Sequence, residues 1–114
     1  MPEVRVYHNP RCSKSRGCLQ ILDEHKVDYQ VVRYLEQPLD AHELRRLLQK
    51  LGPALVRKGE ALYKELNLGQ ASQEELLEAL LSHPALLERP VVVRGSQAVI
   101  ARPPEKVLEL WAAG

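Results

Sequence analysis

His8-Asn9-Pro10-Arg11-Cys12-Ser13-Lys14-Ser15-Arg16 is the stretch on which the fold turns. Before it, residues 3–8 set Val4 and Val6 against Arg5 and Tyr7, the two-residue alternation of a short, half-buried strand. After it, Cys18, Ile21, Leu22 and His25 recur at helical spacing from a start at Ser13. Asn9-Pro10 separates the two patterns, because proline lacks an N–H and disfavours the helical conformation in the residue before it. Cys12 therefore stands where a strand ends and a helix begins. Backbone N–H groups at a helix start carry partial positive charge and attract anions, and flanking cations favour a thiolate. The stretch predicts a reactive cysteine beside an oxyanion pocket.

Further along, residues 27–33 read as a second strand. A strand–helix–strand unit of this length favours a parallel pair with a right-handed crossover. Pro38-Leu39-Asp40 opens a helix, with Asp40 and Glu43 as a capping-box-like pair and Leu44, Leu47, Leu48 and Leu51 as its apolar stripe. Gly52-Pro53 ends it, and a turn over 54–58 follows. Residues 60–68 are expected to be helical and closed by Gly69. Ser72 and Glu75 suggest another capping box, before Leu76, Leu77, Leu80 and Leu81, and His83-Pro84 stops that helix. Residues 39–88 thus read as a helical insertion. Val91-Val92-Val93 is a buried strand, Arg94-Gly95-Ser96 a turn and 97–101 a returning strand, which makes a hairpin. Pro103-Pro104 starts a last helix, with Val107, Leu108 and Trp111 as its inner face. The order β-α-β, helices, β-β-α predicts an α/β, thioredoxin-like fold. It has a four-stranded mixed sheet in one domain over 1–114, with the insertion at about 39–88.

The 114 residues suffice for one core, and with four Tyr, one Trp and no Phe, Leu and Val must fill it. A formal net charge of +1 gives no general case for nucleic-acid or membrane binding. Its distribution is uneven: both ends are basic, through Arg5, Arg11, Lys14 and Arg16 and through Arg89, Arg94, Arg102 and Lys106, whereas residues 60–88 carry six Glu against Lys64. Ends packed together would make a positive site. There is no apolar run long enough to span a membrane and no signal-peptide h-region after Met1-Pro2-Glu3. Two Cys are too few for a disulfide scaffold and lack zinc-site spacing. The expectation is a cytoplasmic monomer with no metal and no bound cofactor.

The chain resembles the glutaredoxin-coupled arsenate reductase family, in particular its branch of short members. The likeness rests on residues 7–16, Leu62-Tyr63-Lys64-Glu65-Leu66, Glu88-Arg89-Pro90-Val91-Val92-Val93 and Arg102-Pro103-Pro104-Glu105, in that order over nearly the whole chain. It implies that Cys12, as thiolate, attacks arsenate, that glutathione displaces a second oxygen, that glutaredoxin resolves the mixed disulfide, and that arsenite leaves. It implies oxyanion binding by Arg57, Arg89 and Arg102, a hydrogen bond from Ser15 to the sulfur, and a cis proline at Pro90. Arg11 and Ser13-Lys14 depart from the better-studied reductases.

The chemistry of each residue fits these assignments. Cys12 needs a depressed pKa, since an ordinary thiol near about 8.5 is mostly protonated at neutral pH. His8, Arg11, Lys14, Arg16 and the helix start can all supply positive charge. His8 has two readings: it tunes Cys12 or shuttles a proton, or it is a satisfied strand-end histidine. His25, His42 and His83 are assigned no role. Cys18 is read as core, because six helical positions are about 9 Å of rise and roughly 240° of rotation, and a disulfide needs Cα atoms within about 7 Å. The resolving thiol then comes from outside. Three guanidiniums suit a tetrahedral oxyanion. Two other classes compete: a glutathione-linked thiol oxidoreductase with another substrate, and an Spx-like regulatory binding protein, against which stands Ser15 where a C-x-x-C pair would place cysteine.

Overall fold

A computed structural model describes residues 3–111. The chain divides into two compact units: Met1–Gln37 with Arg89–Gly114, and Pro38–Glu88.

The first unit contains β1 (Val4–Tyr7), α1 (Ser13–Glu24), β2 (Tyr29–Val32), β3 (Val91–Arg94), β4 (Gln97–Ile100) and a final 3-10 helix (Pro104–Trp111). The sheet order is β2-β1-β3-β4, with β1 parallel to β2 and antiparallel to β3, and β3 antiparallel to β4. This is the mixed, thioredoxin-like arrangement the element order predicts. Gly95, at φ +59°, takes the first position of the two-residue β3–β4 turn, where a tight hairpin needs positive φ. That turn pins the register, pairing Arg94 with Gln97 and Val91 with Ile100.

Val4, Val6, Cys18, Leu22, Val92, Ala101, Val107 and Leu110 form the core of this unit. Gly17 lets α1 and the final helix approach closely, since a Cβ there would lie 3.2 Å from Pro104 Cγ. Three sequence expectations change. Tyr7, expected on an exposed face, is buried, because β1 is an interior strand with neighbours on both edges. His25 is exposed beyond the end of α1, with Nδ1 2.9 Å from the Ile21 carbonyl oxygen. In the final helix Leu110 is buried and Leu108 is exposed. A 3-10 helix repeats every three residues, so Val107 is followed inward by Leu110.

The second unit holds α2 (Ala41–Leu51), a 3-10 turn (Gly52–Leu55), α3 (Ala61–Glu65), a 3-10 turn (Leu68–Gln70), α4 (Gln73–Ser82) and a 3-10 turn (Pro84–Leu86). Both predicted helix starts are capped. Glu43 N–H donates to Asp40 Oδ1 at 2.8 Å. Ser72 N–H donates to Glu75 Oε1 at 2.8 Å while Glu75 N–H donates to Ser72 Oγ at 3.2 Å. α3 is shorter than expected because Asn67 adopts the left-handed conformation, φ 52°, which Asn tolerates. Gly69 therefore lies inside the next turn rather than ending a helix. Leu76, Leu77 and Leu80 are buried as expected, but Leu81 is exposed and Ala79 takes the inner position.

Leu22→Ala should lower the free energy of unfolding by about 2–5 kcal/mol, the usual cost of a cavity in a closed core. Leu81→Ala should change it by less than about 0.5 kcal/mol, as exposed positions do. Urea denaturation of the two variants measures the contrast, and equal losses would contradict this description of the core.

Candidate active site

The sheet register explains how residues far apart in sequence meet. β1 pairs Tyr7 with Val91, so the loop leaving β1 begins beside Arg89-Pro90. β3 pairs Val91 with Ile100, and Ala101 N–H donates to the Pro90 carbonyl at 2.9 Å. One step further on each strand stand Arg89 and Arg102. The Arg102 Nη1 group donates to the Arg89 carbonyl oxygen at 2.9 Å and to Cys12 Sγ at 3.7 Å. The Arg89-Pro90 and Arg102-Pro103 peptide bonds are both cis.

The loop itself is wound around Asn9. Its side-chain oxygen accepts the Arg11 N–H at 3.0 Å, its carbonyl accepts the Cys12 N–H at 3.0 Å, and its own N–H donates to Ser15 Oγ at 3.4 Å. Asn9 and Ser15 are buried, whereas Cys12 is partly exposed at the cap of α1. A short polar residue before proline is a turn signal. That signal in the sequence, Asn9-Pro10, is the one that marks Asn9 as the organiser of the loop.

Burial pushes the Cys12 thiol pKa upward, but the Ser15 backbone N–H, the Arg89 side chain, the Lys14 backbone N–H and the Arg102 side chain outweigh it. Together they hold the pKa at about 7. The positive environment thus differs from the one expected. It comes from backbone donors of the first helical turn and from two arginines about 77 and 90 positions away, not from the side-chain charges of Arg11, Lys14 and Arg16. Arg11 and Lys14 are exposed, and Arg16 Nη1 donates to the Pro10 carbonyl at 3.2 Å. Ser15 reaches the sulfur through its backbone N–H, while its hydroxyl accepts from Asn9.

His8 is buried, and its pKa is lowered by that burial and then by the charges of Arg33 and Arg16. Both effects disfavour an imidazolium beside the thiol. Cys18 lies in the core with its pKa raised to about 12 by burial.

Arg57 belongs to the second unit. Its backbone N–H donates to Leu86 O at 2.8 Å, next to a bridge between Val56 and Leu87. This pairing sets it beside Glu88, whose Oε1 is 2.9 Å from Arg57 Nη1, and Glu60 Oε1 lies 3.5 Å from Nε. Among the described residues, no three His, Cys, Asp or Glu side chains gather as a metal ion would require.

The family model that matches this chain spans residues 7–110, the stretch that holds Cys12, Arg89 and Arg102. The chain belongs to the ArsC family. It is 52% identical over 114 residues to the uncharacterized Escherichia coli protein YfgD, covering 95% of this chain and 96% of that one. It is 44% identical over 113 residues to an arsenate reductase of Neisseria meningitidis, covering 94% and 97%. The solved structure of an arsenate reductase from Vibrio cholerae superposes with a TM-score of 0.86 at 50% identity, covering 93% of this chain and 95% of that one. In this ArsC protein the first unit brings Cys12, Ser15, Arg89 and Arg102 together around one sulfur.

Alkylation by iodoacetamide across a pH series should show Cys12 reacting with a midpoint near 7. Arg102→Ala removes a group that favours the thiolate, so the midpoint should rise, by about one unit. Cys18 should stay unmodified until the protein unfolds. A wild-type midpoint at or above the free-thiol value of about 8.5 would contradict the electrostatic description.

Proposed function

We propose that this protein reduces arsenate to arsenite through the Cys12 thiolate, with glutathione and a glutaredoxin supplying the electrons. The observation that carries the reading is the Cys12 sulfur itself, held near neutral pKa with Arg102 at 3.7 Å. A tetrahedral oxyanion placed against this sulfur meets guanidinium donors that match its oxygens in pairs. The same donors stabilise the charge that builds during displacement. The arsenate reductases of similar sequence and fold support the choice of oxyanion.

The Cys12 thiolate forms a sulfur–arsenic bond as one arsenate oxygen leaves as water after protonation. Glutathione forms a second sulfur–arsenic bond in the same way. A glutaredoxin thiol then attacks the glutathione sulfur. The sulfur–arsenic bond pair passes to arsenic, which goes from +5 to +3, and a glutathione–glutaredoxin disulfide departs. Water releases arsenite and restores Cys12. Two electrons enter and two external thiols become one disulfide. No internal partner is required, and Cys18, buried with its pKa at about 12, is poorly suited to be one.

A coupled assay with arsenate, glutathione, glutaredoxin, glutathione reductase and NADPH tests this. Cys12→Ser should abolish turnover and Cys18→Ser should keep most of it. Arg102→Ala should lower kcat by about 10²–10³-fold, the usual cost of one lost oxyanion donor. No turnover by the wild type beside a working glutaredoxin would overturn the proposal. Equal loss in both cysteine variants would overturn external resolution.

A further inference from the structure

The first unit carries a cavity of about 460 Å³ that the proposed chemistry does not use. Its walls are His8, Leu19, Val31, Arg33, Glu36 and Gln37. The size is within the range of small-molecule sites. Its position is the usual one for a ligand in an α/β sheet, outside the carboxyl ends of parallel strands: His8 follows β1 and Arg33 follows β2. Two walls also belong to the elements that present Cys12, since His8 opens its loop and Leu19 lies on α1 one turn past Ser15.

The lining offers opposite charges on two exposed side chains, Arg33 and Glu36. Glu36 N–H and Gln37 N–H both donate to the Arg33 carbonyl, at 3.0 and 2.8 Å, so one tight turn sets the backbone from which the three side chains project. Among the described residues, neither the Arg33 guanidinium nor the Glu36 carboxylate has a hydrogen-bond or ion-pair partner. His8, itself buried, supplies a further wall. Leu19 and Val31 give an apolar surface between these groups. A simple oxyanion would gain from Arg33 and be repelled by Glu36. A zwitterionic peptide uses both.

We propose that this cavity binds the γ-glutamyl peptide thiol, glutathione, that attacks the Cys12 adduct. A carboxylate of the peptide pairs with Arg33, its ammonium pairs with Glu36, and its amide groups meet Gln37. The methylene chain lies over Leu19 and Val31. The inference rests on the reading of the protein as a glutathione-dependent reductase, and it names where that thiol is held.

The test separates the two. S-Methylglutathione, which cannot react, is titrated into the wild type, Arg33→Ala and Glu36→Ala, and its dissociation constant is measured by NMR. Each variant should bind about tenfold more weakly, as expected for one lost charge-assisted contact. In the coupled assay each variant should raise KM for glutathione by a similar factor, with KM for arsenate unchanged and with no change when uncharged 2-mercaptoethanol replaces glutathione. Circular dichroism checks that both variants fold. Wild-type binding weakened in the variants, without arsenate turnover by any of them, would sustain the cavity and remove the proposed reaction. Turnover with unchanged glutathione KM, or S-methylglutathione binding equally to all three proteins or to none, would overturn the cavity.

Discussion

A thiolate at a partly buried position is unfavourable unless positive groups face it, and the first unit depends on meeting that condition at Cys12. The helix start contributes two backbone N–H groups, from Lys14 and Ser15. These are among the donors that every helix leaves unpaired in its first turn. The remaining contribution needs side chains, and the sheet delivers them. The two-residue turn at Gly95-Ser96 fixes β3 against β4, so residues 89 and 102 finish opposite one another. The antiparallel pairing of β1 with β3 sets that end of the hairpin beside the loop. Arg102 then divides its donors between the Arg89 carbonyl and the sulfur. This arrangement fixes the guanidinium before any anion arrives.

The two cysteines show which factor decides. They lie six positions apart at the start of one helix, and burial raises the pKa of both. Cys12 has N–H and guanidinium donors to oppose that rise and settles near 7. Cys18 packs among Val4, Leu22, Val92 and Val107 with none, and its pKa climbs to about 12. Proximity to a helix start is therefore not sufficient. The donors must point at the sulfur, which the cap position provides and the second turn does not.

Much of this was legible in the sequence because it follows from local rules. Val4 and Val6 mark β1, Ser72 with Glu75 marks a capping box, and Asn9-Pro10 marks the loop. The crossover and the hairpin mark the β1–β2 and β3–β4 pairs, whereas the β1–β3 pairing that joins them comes from the structure. The failures occur where tertiary structure overrides local pattern. Tyr7 alternates like an exposed residue but lies in an interior strand. Leu108 fits a 3.6-residue period in a helix that has a period of three. Asn67 ends α3 through a backbone conformation that no periodicity reveals. At the site, Cys12, Arg89 and Arg102 could be picked out from motifs. The source of the thiol's activation could not, because the conspicuous side-chain cations of the loop are not among the groups that lower its pKa, while the arginines that do are far away in sequence. The hairpin register held that information: counting outward from Gly95-Ser96 pairs Arg89 with Arg102.

Arg57 and Arg102 show why a guanidinium's partners matter as much as its presence. Arg102 spends one contact on a neutral carbonyl oxygen, which orients it without cancelling its charge. Arg57 is flanked by Glu60 and Glu88, and the second of these lies at hydrogen-bonding distance. These two contacts take up part of the Arg57 donor set within the second unit. An anion drawn by the field of the first unit is drawn by Arg89, Arg102 and the helix start. His8 completes the contrast. Burial and two neighbouring arginines disfavour its imidazolium form, whereas the donors around Cys12 favour a charged thiolate.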